Sequence, residues 1–142
     1  AVLLAWVTHE CDNPPMLPRR LLVGGGQVLS REGWTRADLL IRDGRIAAIG
    51  SDAAVPGVPR LDVSACRVAP GFVDLHVHGG DGAMCEDAHP DGPLRISAAL
   101  ARHGVTGFLA TVAALPADEL RAAVANLAAA SGREPGARIL GI

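Results

Sequence analysis

The chain has 142 residues, of which 49% are hydrophobic and 20% charged, with a formal net charge of -2. That composition suits one globular domain with a real core and argues against a disordered chain. There is no Lys, so all 13 basic residues are Arg, and with no Tyr, two Phe and two Trp there is neither a basic stripe nor a stacking platform for bases; nucleic-acid binding is not expected.

The opening AVLLAWV is apolar but only seven residues long, has no basic segment before it and runs into the turn-rich ECDNPPMLPRR. It is too short to cross a bilayer and is read as a fragment edge or translated leader rather than a signal peptide. Residues 1–20 are therefore set aside as a poorly defined edge. Cys11, Cys66 and Cys85 are odd in number and widely spaced, without a CxxC pair. This argues against a disulfide framework and a thiolate metal site, and for a reducing cytoplasm.

From Leu21 the pattern is short and strand-like: LLVGGGQVLS, then ADLLIRDGRIAAIG, then RLDVSACRVA. Asp43-Gly44 between two apolar runs predicts a tight hairpin. The Gly24–Gly26 run reads as a β-turn, and Pro56, Gly57 and Pro59 as a loop. Residues 21–69 thus form a small β module.

After Pro70-Gly71 the rhythm changes. GFVDLHVHG predicts a strand and GGDGAMCED a loop, while GGDG lacks the spacing of a phosphate-binding fingerprint. Leu94, Ala98 and Ala101 lie at helical spacing over 92–103, with Gly104 as a stop. VTGFLATV is a second strand. Pro116, Asp118 and Glu119 suit a helix start, Leu120, Val124 and Leu127 form its apolar stripe up to Gly132, and ARILGI opens a third strand. Strand, helix, strand, helix, strand implies a parallel sheet with helices outside, the beginning of a (β/α) barrel or an open doubly wound sheet. Residues 70–142 fall far short of the roughly 250 that a complete eight-stranded barrel needs.

Period-two alternation puts Phe72, Asp74, His76 and His78 on one side of the first barrel-type strand and Val73, Leu75 and Val77 on the other. Two imidazoles on one face at the C-terminal end of a strand can converge on one divalent cation, where α/β enzymes place their sites. The bland alternative is a pair of hydrogen-bonded structural histidines. Asp74 is a candidate to hydrogen-bond and orient a metal-bound ring, or else a structural aspartate. His103 reads as a helix C-terminal residue, His9 and His89 as loop residues, Cys85 as an inert lone thiol, and Glu86 and Asp87 as solvated.

VAPGFVDLHVHGG, preceded by IRDGRIAAIG, resembles the amidohydrolase superfamily. HGGDGAMCED, HGVTGFLATVAALPADEL and ARILGI are similar to its N-acetylglucosamine-6-phosphate deacetylases, and the resemblance covers about residues 21–142. It implies the N-terminal part of a metal-dependent (β/α)8 TIM barrel, over 70–142, preceded by an incomplete β-sandwich module. His76 and His78 match the first-strand metal positions, and the ion implied is zinc, iron or another transition metal. The resemblance further implies a cytoplasmic homodimeric hydrolase of amino-sugar metabolism, splitting an amino-sugar phosphate into glucosamine 6-phosphate and acetate; the composition and the lack of a long apolar segment leave no nucleic-acid or membrane partner expected. Other ligands and the catalytic aspartate fall on later strands, so this chain alone is expected to be inactive. The alternatives are another amidohydrolase, a cyclic amidase or D-amino-acid deacylase, or a truncated non-catalytic remnant.

Overall fold

The computed structural model describes residues 18–50, 53 and 55–142. The opening apolar segment, Cys11 and His9 lie outside them. The described residues up to Pro70 form one unit, and Gly71–Ile142 form a second.

The first unit is built of strands β1 (Arg20–Gly24), β2 (Gln27–Ser30), β3 (Gly33–Arg36), β4 (Leu39–Arg42), β5 (Arg45–Ile49), β6 (Arg60–Asp62) and β7 (Arg67–Val68). They make two sheets, ordered β5-β4-β1-β6 and β3-β2-β7. The runs LLV in β1 and LLI in β4 are continuously apolar because both faces of these central strands are covered. On one face Leu21, Val23, Leu39 and Ile41 pack with Val28 and Val68 of the other sheet. On the opposite face Leu22 and Leu40 pack with Ala53. As expected, β4 and β5 form a hairpin across Asp43 and Gly44. Both turn residues have positive φ, 49° and 73°, as a two-residue turn matched to the right-handed twist of its strands requires.

The second unit runs β8 (Phe72–Val77), β9 (Gly79–Gly80), β10 (Ala83–Met84), α1 (Gly92–Arg102), β11 (Val105–Ala110), α2 (Ala117–Ala130) and β12 (Arg138–Gly141). β11 lies between β8 and β12 and is parallel to both, so the expected βαβαβ order is present. Pro93 stands in the first turn of α1 and Gly104, at φ 81°, follows its C-cap residue His103. Asp118 and Glu119 occupy the first turn of α2, near the positive end of its dipole.

The core of this unit gathers Ile96, Phe108, Ala110, Leu127, Ala130, Ala137 and Ile139. Phe108, Ile96 and Leu127 are fully buried, and each such side chain contributes about 1.5–3 kcal/mol relative to exposure. The helix faces differ from those expected. α2 buries Ala123, Leu127 and Ala130, whereas Leu120 and Val124 are exposed. In α1 the buried face centres on Ile96, Ser97 and Ala99 rather than on Leu94, Ala98 and Ala101. Small residues let a helix approach its neighbours closely, so alanines can define the packed face even where larger residues stand beside them.

The loop expected over 79–87 is not featureless, since β9 and β10 pair antiparallel through Asp81 and Gly82, whose φ values are 54° and 69°. Nor is the apolar side of β8 buried: Val73 and Leu75 are 51% and 69% exposed, and Phe72 on the other side is 70% exposed. Among the described residues no helix is long and apolar enough to cross a membrane.

Candidate metal centre

His76 lies near the end of β8 and His78 directly after it. The two Nε2 atoms are 3.2 Å apart, with ring centroids at 5.1 Å and planes at 67°. Both rings therefore point to one place, as the alternation of the strand requires. Two nitrogens held at 2.0–2.1 Å on a tetrahedral ion lie about 3.3 Å apart, so this separation fits two ligands of one cation. It also fits a hydrogen bond from one ring to the other. Among the described residues no group of three or more His, Cys, Asp and Glu side chains could hold a metal ion.

The surrounding backbone holds this end of the strand in place. The Thr111 N–H donates to the Val77 carbonyl at 2.8 Å, and the Cys85 N–H to the His78 carbonyl at 2.7 Å. Asp74 Oδ1 accepts the backbone N–H of His76 at 3.0 Å. The aspartate thus braces the strand locally, two residues along its own chain.

Glu86 differs most from its sequence reading, because the carboxylate expected in solvent is tucked beneath the site. Its side chain is 17% exposed and its Oε1 lies 3.7 Å from His78 Nδ1. Oε1 accepts the Ala113 N–H at 2.8 Å, while Oε2 is buried without a hydrogen-bond partner. Asp87 is not free in solvent either, since its Oδ2 accepts the Met84 N–H at 2.7 Å. The signal that could have placed Glu86 is the Asp81-Gly82 dipeptide, which turns the chain back so that residue 86 meets residue 78.

Cys85 is buried and its Sγ lies 3.4 Å from the Val77 carbonyl. Burial, with the charges of Glu86 and Asp87 adding to it and a backbone hydrogen bond from Thr111 opposing it, pushes the thiol up to about 11. This cysteine stays a thiol near neutral pH and is no nucleophile. His103 is the C-cap residue of α1, and His89 accepts the Asp91 N–H in an exposed turn.

No family model matches the chain, but proteins of known activity cover most of it. N-acetylgalactosamine-6-phosphate deacetylase of Escherichia coli O157:H7 is 36% identical over 117 residues, 81% of this chain and 30% of the relative. The structure of an N-acetyl-D-glucosamine-6-phosphate deacetylase mutant from Mycobacterium smegmatis, in complex with N-acetyl-D-glucosamine-6-phosphate, matches 79% of this chain and 29% of its own, with 31% identity and a TM-score of 0.68. N-acyl-D-glutamate deacylase from Bordetella bronchiseptica, solved with zinc and a phosphonate inhibitor, matches 86% of this chain and 28% of its own, with 27% identity and a TM-score of 0.55. This chain is homologous to amidohydrolases, enzymes that act on carbon–nitrogen bonds. Deacetylases of amino-sugar phosphates stand among those homologues. The chain spans less than a third of the length of each of these three relatives.

Proposed function

We propose that this chain carries the first two metal ligands, His76 and His78, of a deacetylase that releases acetate from N-acetylglucosamine 6-phosphate. The observation that carries the reading is the 3.2 Å separation of the two Nε2 atoms at the end of β8, in a chain whose relatives include deacetylases of amino-sugar phosphates. Zinc is the ion favoured, and iron or another transition metal is the alternative. When bound, such an ion makes water a usable nucleophile near neutral pH and polarises an amide carbonyl. The two imidazoles hold and orient, Asp74 keeps the strand end in register, and the remaining ligands and the proton-transfer carboxylate come from later sequence.

On this reading residues 70–142 are the opening βαβαβ portion of a (β/α)8 barrel, and residues 21–69 belong to a β-sandwich. The parallel order β12-β11-β8 supports the first assignment, and the shared apolar cluster of the two small sheets supports the second. The exposed apolar side chains of β8 are then surfaces for further barrel strands. The whole enzyme is assigned to the cytoplasm as a homodimer.

A second reading, deacylation of an N-acyl-D-amino acid, is favoured by the match to N-acyl-D-glutamate deacylase. The deciding experiment measures acetate release by the intact, zinc-loaded protein from N-acetylglucosamine 6-phosphate and from N-acetyl-D-glutamate. Release from the sugar phosphate that a chelator abolishes is expected, with none from the 142 residues alone. Release only from the amino acid, or from neither, overturns the proposal.

A further inference from the structure

We propose that Glu86 is a positioning residue for His78: its carboxylate takes the Nδ1–H of that ring, fixes the tautomer and turns Nε2 toward the ion. The inference rests on the reading of His76 and His78 as ligands. Glu86 is largely buried, its Oε2 has no partner, and no arginine pairs with its carboxylate among the described residues. A buried carboxylate short of both donors and a countercharge is costly. The basic group within reach is the imidazole of His78, 3.7 Å from Oε1, the oxygen that also accepts the Ala113 N–H; the ring answers the charge of the carboxylate as a whole, and Oε2 remains the oxygen without a donor.

The ring has a matching need. A neutral imidazole carries one proton, and Nε2 can bind a cation only if that proton sits on Nδ1. An acceptor beside Nδ1 selects this form before any ion arrives. It also gives a direction to the 3.2 Å contact between the rings, with His76 Nε2–H as donor and His78 Nε2 as acceptor. Shortening the 3.7 Å gap by about 0.8 Å would make an ordinary hydrogen bond. The Ala113 N–H already anchors Oε1, and the Cys85 N–H ties the preceding residue to the His78 carbonyl, so the carboxylate is held beside the ring. Asp74 cannot take the same role with the oxygen it gives to the His76 N–H.

The test uses the intact protein, labelled with 15N-histidine and free of metal, and reads the His78 tautomer from long-range 1H–15N correlations. Nδ1–H in wild type is expected, with reversion to Nε2–H in Glu86→Ala and retention in Glu86→Gln, which keeps an acceptor. Zinc affinity, measured by competition with a chelator, should fall about 10-fold or more in Glu86→Ala and by much less in Glu86→Gln. Nε2–H in wild type overturns the proposal without recourse to any variant. Zinc binding that His78→Ala loses but Glu86→Ala keeps in full overturns the role of Glu86 and leaves the ligand reading standing. Failure of zinc to bind wild type overturns both.

Discussion

Ser97 Oγ, fully buried on α1, accepts the backbone N–H of Gly136 at 3.0 Å, across 39 positions of sequence. The Ser97 carbonyl accepts the next N–H, that of Ala137, at 3.1 Å. Together these bonds tie α1 to the segment that enters β12. Ser97→Ala leaves the Gly136 N–H without its partner, and a loss of about 1–3 kcal/mol is expected. Gly136→Ala should cost more, because a Cβ there would meet the Ser97 carbonyl oxygen at 2.5 Å, and a backbone atom cannot move aside as a side-chain end can. Denaturant midpoints of the two variants check this order; equal stability of Gly136→Ala and wild type would contradict it.

Acid should weaken the same region through Glu134, whose Oε1 accepts the Ile139 N–H at 2.9 Å. Burial by itself would raise this carboxyl, but hydrogen bonds from the backbone of Glu134, Ile139 and Gly132 and the charge of Arg138 outweigh it, so that it titrates below its ordinary 4.5. A carboxyl depressed in the folded state binds fewer protons there than in the unfolded chain. Its stabilisation is therefore present above pH 4.5 and lost as pH falls through the lower, folded value. Thermal unfolding of Glu134→Gln beside wild type should show a deficit at pH 7 that shrinks as pH falls below 4.5 and through the lower, folded value. A deficit independent of pH would mean that the charge is not what stabilises.

Much of this architecture is legible in the sequence where a local rule fixes the backbone. Asp43-Gly44 marks its hairpin because few residues accept positive φ, and Gly104 and Gly132 mark helix ends for the same reason. The convergence of His76 and His78 follows from a period of two. What the sequence conceals depends on which neighbours arrive. Ala123 and Ala130 are buried while Leu120 and Val124 are exposed, a choice made by the fit of α2 against its sheet. Glu86 reaches His78 only because a second Asp-Gly turn, at 81–82, folds the chain back, and the composition of the loop suggests solvent instead.

The closeness of His76 and His78 Nε2 makes a final prediction about energy rather than position. If both nitrogens hold one ion, removing either leaves a single imidazole, which binds a divalent cation far more weakly than a chelating pair. His76→Ala and His78→Ala should each abolish most of the zinc affinity of the intact protein, and the double variant should lose little beyond either. Such non-additivity is the mark of side chains acting on a shared partner. Zinc titrations of the four proteins, completing a double-mutant cycle, provide the measurement. Losses that simply add would mean that the two rings serve separate purposes, with the 3.2 Å contact a hydrogen bond within the strand end.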